Sequence, residues 1–315
     1  MESPAVYSIP MTTRFRGITV REGLLLRGPA GWGEFCAFPE YPDAEAAAWF
    51  AGAREAAEEG WPEPVRSRVP VNCIVPAVGP ERAAELVRAS GCQTAKVKVA
   101  DHPDSAGEDR ERVAAVRDAL GPAGHIRVDA NTGWSVDEAV RAIRGLDRAA
   151  GGLQYVEQPC VTIAELAAVR RRVDVRIAAD EAIRRAPDPL AVAVTEAADV
   201  AILKCLPLGG VRRALRVAEA VGLPCVVSSA LESSVGLAAE IALAAALPEL
   251  DYACGLGTGR LFTTDVVADA DRLLPVDGWL PVLRTAPDPV RRHEVAADPD
   301  RKKWWRARAD RLATR

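Results

Sequence analysis

Five short segments carry the residues of this chain that could do chemistry together: Lys96-Val97-Lys98, Asp129 in VDAN, Glu157 in YVEQP, Asp180-Glu181 in AADE and Lys204 in AILKC. The steps are 31 residues from Lys98 to Asp129, 28 to Glu157, 23 to Asp180 and 24 to Lys204. That is close to one strand-plus-helix unit when roughly 250 residues make eight. All strands of a parallel barrel point their C-terminal ends at one rim, so charges far apart in sequence would converge on one pocket. Three carboxylates brought together repel and lift each other's pKa unless a cation neutralises them. Oxygen ligands without His or Cys favour a hard divalent ion. A site that must also admit water and substrate oxygens favours Mg²⁺ over Ca²⁺, with Mn²⁺ as a substitute.

Side chains alternate along a strand, so Lys96 and Lys98 face one way and Val97 the other. Two crowded ammonium groups disfavour each other's charge, so this pair is expected to supply a lysine depressed toward neutrality, a usable general base. Lys204 sits among buried-type residues, where an unpaired charge costs several kcal/mol. It is expected to stabilise an anion or act as a second acid/base. Asn131 and Gln158 stand beside two of the carboxylates and are expected to orient them. Glu181 should face away from Asp180, which leaves it open between a salt bridge and a metal role. Ser228 and Ser229, with Ser233 and Ser234, surround a strand end that leads into a helix whose amides could hold a substrate carboxylate. Helix capping explains the same serines equally well.

These residues need a scaffold of repeated units. From Val71 onward, β-rich runs (VNCIVPA, TAKVKVA, HIRVDAN, LQYVEQP, VRIAADE, ADVAILKC, PCVVSSAL, YACGLG) alternate with segments of helical periodicity, among them SVDEAVRAIRGL and DPLAVAVTEA. Strand and helix in alternation make a parallel sheet, and eight repeats favour closure into a barrel. The last strand lacks a clear full helix, so the expected fold is α/β, a (β/α)7β TIM-like barrel over residues 67–275. Residues 1–66 are expected to form an α+β capping module. In it, ITVREGLLLRGPAGWGEF reads as a hairpin and Asp43 caps a helix that stops at Gly60. The tail, 276–315, is expected to pack back through Trp304 and Trp305 and complete the cap, leaving its arginines in water.

Composition narrows the function. The chain has 315 residues, 49% hydrophobic and 27% charged, with a formal net charge of −4. That offers no electrostatic footprint for nucleic acid. Seven cysteines occur singly with no CxxC spacing and read as buried thiols of a reducing compartment. The start lacks the basic and apolar segments of a secretory signal, and Ala238–Leu247 is too short to span a membrane. A cytoplasmic monomer or small homo-oligomer acting on a small carboxylate is expected. His102, His125 and His293 fit no metal or triad spacing. GLGTG at 255–259 opens no dinucleotide-binding unit.

Taken in order, KxK, DAN, EQP, DE and the sixth-strand Lys resemble the enolase superfamily, in its muconate-lactonising-enzyme subgroup, over nearly the whole chain. VYSIPMTTRFRG, GWGEFCAFPEYP, VDANTGWS, VVSSALESSVGL and CGLGTG look most like its o-succinylbenzoate synthase branch. The resemblance implies that Asp129, Glu157 and Asp180 bind Mg²⁺, that Lys98 is the acid/base, and that Lys204 faces the enolate from the other side. It also implies the chemistry common to the superfamily, a Lys or His base with Mg²⁺ stabilising an ene-diolate. The implied reaction is dehydration of 2-succinyl-6-hydroxy-2,4-cyclohexadiene-1-carboxylate in menaquinone biosynthesis. The alternatives are racemisation of N-succinylamino acids and other cycloisomerase or epimerase activities of the subgroup. Thr13–Arg16 and Phe38–Tyr41 are the expected lid loops, with Arg16 meeting the succinyl carboxylate and Gly255 lining the substrate site.

Overall fold

The computed structural model describes residues 4–184 and 196–314. Most of the expected helix DPLAVAVTEA lies outside them. The chain opens with a three-stranded antiparallel sheet, β1 (Ala5–Phe15), β2 (Ile18–Gly28) and β3 (Gly31–Phe35). The sequence pointed to the β2/β3 hairpin and not to β1. Pro10 obscures that strand, and the β1/β2 register shifts between Pro10 and Phe15, the irregularity a strand proline demands. Helix α1 (Asp43–Glu58) covers this sheet. Its N-cap is Pro42, whose ring has no acceptor for the first amides, so Asp43 is not the cap. Asp43 instead holds Arg311 at 3.0 Å.

After β4 (Arg68–Pro70) the parallel units follow: β5 (Cys73–Val75), α2 (Pro80–Ser90), β6 (Thr94–Lys98), α3 (Ala106–Leu120), β7 (His125–Asp129), α4 (Val136–Ala150), β8 (Leu153–Glu157), α5 (Ile163–Arg170) and β9 (Ile177–Ala179). Then come α6 (Glu181–Arg184), β10 (Val200–Leu203), α7 (Cys205–Leu208), α8 (Val211–Val221), β11 (Cys225–Val227) and α9 (Ser234–Ala246). Local chemistry starts and stops these helices. Ser135 with Glu138 and Thr162 with Glu165 form capping boxes on α4 and α5, each satisfying two orphan amides. Gly151 ends α4 at φ 61°, a left-handed position that suits glycine. Helix α9 is apolar on every side except at Glu240 and is buried along almost its whole length, as such a composition requires.

Strands β5 to β11 form one sheet in sequence order, every neighbouring pair parallel. The expected eighth strand is reduced to two bridges, Val71 with Cys254 and Ser228 with Gly255. Asn72 N donates to Cys254 O at 2.9 Å and Gly255 N to Val227 O at 2.8 Å. This short segment therefore touches both sheet edges and closes the ring. Tyr155, Ala178, Val200, Ile202, Val226 and Tyr252 make a small core of their own. On their strands they share a face with Glu157, Asp180, Lys204 and Ser228.

The tail is ordered. β12 (Trp279–Pro281) pairs with β4, and α10 (Pro299–Ala313) lies against α1, β1 and β2. Trp305 is fully buried and sits edge-on to Phe35, 5.4 Å between ring centroids. The arginines do not all face water. Arg308 is buried and donates to the carbonyls of Ala37, Phe38 and Tyr41. No helix among the described residues is long and apolar enough to cross a membrane.

Candidate active site

A cavity of about 1110 Å³ opens where the barrel strands end. Its walls include Lys96, Lys98, Asp129, Asn131, Lys204 and Ser229 from the barrel, and Phe15, Arg16, Phe38 and Glu40 from the N-terminal layer. Register makes this convergence inevitable. Lys98 is the Cα partner of Asp129, and Asp129 of Glu157, on three adjacent strands. Asp180 follows the end of β9 and Lys204 the end of β10. Strands β6 and β10 are four places apart in a ring of eight, so Lys98 and Lys204 enter from opposite sides.

The charges interlock. Lys96 Nζ donates to Glu157 Oε1 at 2.5 Å and lies 2.9 Å from Asp129 Oδ2. Lys98 Nζ donates to the same Asp129 oxygen at 2.6 Å and also to Asn131 Oδ1. Lys204 Nζ donates to Asp180 Oδ2 at 2.6 Å, while Arg184 Nε holds Asp180 Oδ1 at 2.8 Å. Burial would raise the Asp129 carboxyl, but Lys96 and Lys98 outweigh it and hold the group well below the usual carboxylate range. Arg184 and Lys204 do the same for Asp180.

Lys96 is not depressed toward neutrality by its neighbour. Burial lowers it, yet Asp129 and Glu157 more than compensate and leave it above the ordinary lysine range. A carboxylate about 3 Å away outweighs a second ammonium that is itself paired.

Glu157 is the exception. Burial, then the charge of Asp129, pushes its carboxyl up to about 7. Its Oε2 is buried with no hydrogen-bond partner, a condition that costs about 1–3 kcal/mol in an uncompensated site. Among the described residues no group of three His, Cys, Asp or Glu side chains stands ready-made around a metal position; lysines and Arg184 fill the gaps between the carboxylates. The donors nevertheless fit a hard divalent ion. Three carboxylates occupy neighbouring strand ends, one carries a spare buried oxygen, and no sulfur or imidazole competes.

The surrounding residues divide by contact. Gln158 Oε1 accepts from Asp180 N at 2.9 Å and Ala182 N at 3.2 Å, fixing the backbone of the Asp180 turn. Asn131 N donates to Asp129 Oδ1 at 3.0 Å. Glu181 starts α6 rather than continuing the strand, pairs with Arg184 at 2.7 Å, and lines the cavity with one oxygen unpartnered. Ser228 and Ser229 line the cavity, and Ser229 Oγ bonds Glu232 and Thr258, each at 2.7 Å. Ser233 caps α9 by accepting from Val235 N. Ser234 Oγ bonds Asp265 at 2.8 Å.

Two expectations change. Gly255 does not line the cavity; it packs on Ser228, where a Cβ would come within 2.5 Å of the hydroxyl. Thr13–Phe15 belong to β1, so that lid is a strand end with a turn at Arg16 and Gly17. Arg16 lines the cavity but is already engaged. Its guanidinium lies 3.8 Å above the Phe38 ring, donates to Tyr41 and pairs with Glu40 at 3.5 Å.

Sequence reasoning missed Arg184, Glu232 and Arg21. Arg184 stands four residues after Asp180 in DEAIR, a helical spacing that could have disclosed it. Arg21 is buried, donates to Leu231 O at 2.8 Å and Ala230 O at 3.2 Å, and gave no signal in its local sequence. All seven cysteines are free, six of them buried.

Residues 80–287 match the family described as Enolase C-terminal domain-like, and residues 6–57 match Enolase N-terminal domain-like. The chain belongs to the enolase superfamily. Within the superfamily it stands in the o-succinylbenzoate synthase family, a family of lyases. The o-succinylbenzoate synthase of Thermobifida fusca is 63% identical over 302 residues, covering 96% of this chain and 93% of the relative. That of Mycobacterium tuberculosis strain H37Rv is 56% identical over 301 residues, covering 95% and 90%. Among solved enolase-superfamily folds, the L-Ala-D/L-Glu epimerase of Bacillus subtilis superposes with TM-score 0.77 at 24% identity, over 90% of this chain and 96% of that one. The muconate lactonizing enzyme of Pseudomonas putida gives 0.75 at 20% identity, over 94% and 98%. At such identities the shared property is the fold: a parallel barrel with an N-terminal capping domain.

Proposed function

We propose that the chain dehydrates 2-succinyl-6-hydroxy-2,4-cyclohexadiene-1-carboxylate to o-succinylbenzoate, a step of menaquinone biosynthesis, as the names of its near-full-length relatives suggest. The observation that supports it most is the pair Lys98 and Lys204 entering one cavity from opposite sides, above three strand-end carboxylates. In this reading Asp129, Glu157 and Asp180 hold Mg²⁺, or Mn²⁺ in its place. The ion would neutralise the substrate carboxylate and the negative charge that grows on it.

The chain's own residues then divide the work. Lys98 takes the proton α to the carboxylate and returns it to the departing hydroxide, so that one base serves both halves of the reaction. Lys204 faces the enolate from the other side and stabilises its charge. Lys96, bonded to two of the carboxylates, keeps them in place, and Asn131 and Gln158 orient the turns that carry them. Glu181 positions Arg184. Ser228 and Ser229 line the wall against which the ring rests. Arg16, stacked on Phe38, shapes the rim near the succinyl arm. Residues 1–66 with the tail 276–315 form the cap over the barrel of 67–275. Seven free thiols suit a cytoplasmic setting.

A second reading, racemisation of N-succinylamino acids, is favoured by the same opposed lysines, since a racemase must deliver protons to both faces. A Mg²⁺-dependent ultraviolet assay on the cyclohexadiene substrate, run beside polarimetry on N-succinylamino acids, separates the two. Loss of the diene without racemisation supports dehydration. Racemisation with a silent diene would refute it.

A further inference from the structure

Helix α9 is built from Ala, Leu, Val, Ile, Ser and Gly apart from one residue, Glu240, which is fully buried in its middle. A carboxylate in such surroundings is costly unless it satisfies donors that would otherwise be orphaned. Its hydrogen-bond donors are two backbone amides. Cys205 N donates to Glu240 Oε2 at 2.8 Å and Leu206 N to Oε1 at 3.4 Å. These are the first amides of α7, unsatisfied by the helix itself, and they directly follow Lys204, the N-cap of α7.

The peptide after Lys204 is thus fixed by Glu240, and the carbonyl of Lys204 accepts from Leu208 N at 3.1 Å. On its other side α7 is pressed by α1, where a Cβ on Gly52 would lie 3.2 Å from Leu206 Cδ2 and 3.0 Å from Gly210 N. In the sequence, Glu240 stands out only as a charge inside the most apolar stretch; its partners lie on a turn 35 residues away.

We propose that Glu240 is a positioning residue for Lys204: it clamps the α7 amides and so holds the lysine backbone at the angle that aims Nζ across the cavity. The proposal rests on the reading of Lys204 given above, since it assigns that lysine a task. It predicts that Glu240 matters to turnover through Lys204 alone, although it never touches substrate.

The test combines kinetics with amide exchange on the full chain. Glu240→Leu removes both acceptors while suiting an apolar core. It should lower kcat by about 10²-fold with KM little changed, the signature of a lost transition-state interaction. Glu240→Gln keeps one acceptor oxygen and should retain activity to within about tenfold, which also guards against a leucine variant that fails to fold. In a Lys204→Ala background, Glu240→Leu should cost no more than about a further twofold, because residues acting as a unit are not additive. Residue-resolved hydrogen exchange, without substrate or metal, should show Cys205 and Leu206 exchanging faster in Glu240→Leu while the barrel strands stay protected. The proposal is overturned if those amides are unchanged, or if Glu240→Leu costs as much without Lys204 as with it. Should Lys204→Ala keep full turnover, the functional reading of the lysine fails on its own account and the clamp stands or falls on the exchange data.

Discussion

Two buried cations sit side by side inside the barrel and live by different rules. Lys96 on β6 and Arg127 on β7 are Cα partners, both almost wholly removed from water. Lys96 reaches toward the mouth and is matched by two carboxylates. Arg127 reaches toward the floor and meets neutral acceptors: Gln154 Oε1 at 3.0 Å, Tyr155 Oη at 2.9 Å, the carbonyl of Ala253 at 2.7 Å and Asn72 Oδ1 at 3.5 Å, with its guanidinium 4.6 Å from the Tyr155 ring centroid. These acceptors are all engaged by one guanidinium. At the mouth a buried carboxylate oxygen is left over on Glu157 beneath a large cavity. One interior thus holds a polar network in which every group is engaged and another that leaves a buried carboxylate oxygen unsatisfied.

The sharpest way to test that contrast is to remove the mouth lysines. Lys98→Ala should lower kcat by about 10³-fold or more, and Lys204→Ala by about 10²–10³-fold, in proteins that remain folded. Steady-state kinetics beside calorimetry checks both, and a large loss of stability without loss of turnover would reverse the roles assigned to mouth and floor. Next in size, Arg127→Met should destabilise the fold by about 2–4 kcal/mol, because Asn72, Gln154, Tyr155 and the Ala253 carbonyl all lose their donor. The kcat of the remaining folded enzyme should stay within about threefold of the wild type. A catalytic collapse in a folded Arg127→Met protein would erase the distinction. Smaller still, Glu63→Ala removes only an exposed ion pair with Arg284 and should leave both melting temperature and kcat where they were.

Acidity offers a further discrimination. Between about 4.5, where an ordinary Glu ionises, and about 7, where Glu157 does, the unfolded metal-free chain holds fewer protons at this group than the folded one. The Glu157 contribution to stability therefore falls as pH rises through that window. Asp129 and Asp180 act in the opposite sense. Their carboxyls are depressed in the fold, so the stability they contribute is present above the ordinary Asp range and lost as pH falls through their lowered values. Glu157→Gln should remove the first dependence and leave the second, read from melting temperature against pH in the absence of metal.

How far the sequence could be read follows the same division. KVK, VDAN, YVEQ, AADE and AILK were legible because each polar residue ends an apolar run, and one-unit spacing brings such residues to one rim. The floor was not. Arg127 in HIRVD looks like any alternating strand residue, and only the closed ring shows it buried against Gln154 and Tyr155. The eighth strand shrank to Cys254 and Gly255 because two bridges suffice to join both edges. Strand β1 was hidden by Pro10. Contacts between layers, such as Arg21 on Leu231 and Glu240 on Cys205, span 210 and 35 residues. No local pattern encodes them.

In the proposed reading Asp129, Glu157 and Asp180 hold a divalent cation, with the unpartnered buried oxygen of Glu157 among its ligands. Calorimetric titration of Mg²⁺ into the metal-free chain, in two buffers of different ionisation enthalpy, tests it most directly. The expected result is one ion per chain, release of a proton on binding near neutral pH, tighter binding as pH rises through about 7, and a loss of affinity of at least about tenfold in Glu157→Gln. Binding of unchanged strength in Glu157→Gln, or no binding at all in the wild type, would contradict it.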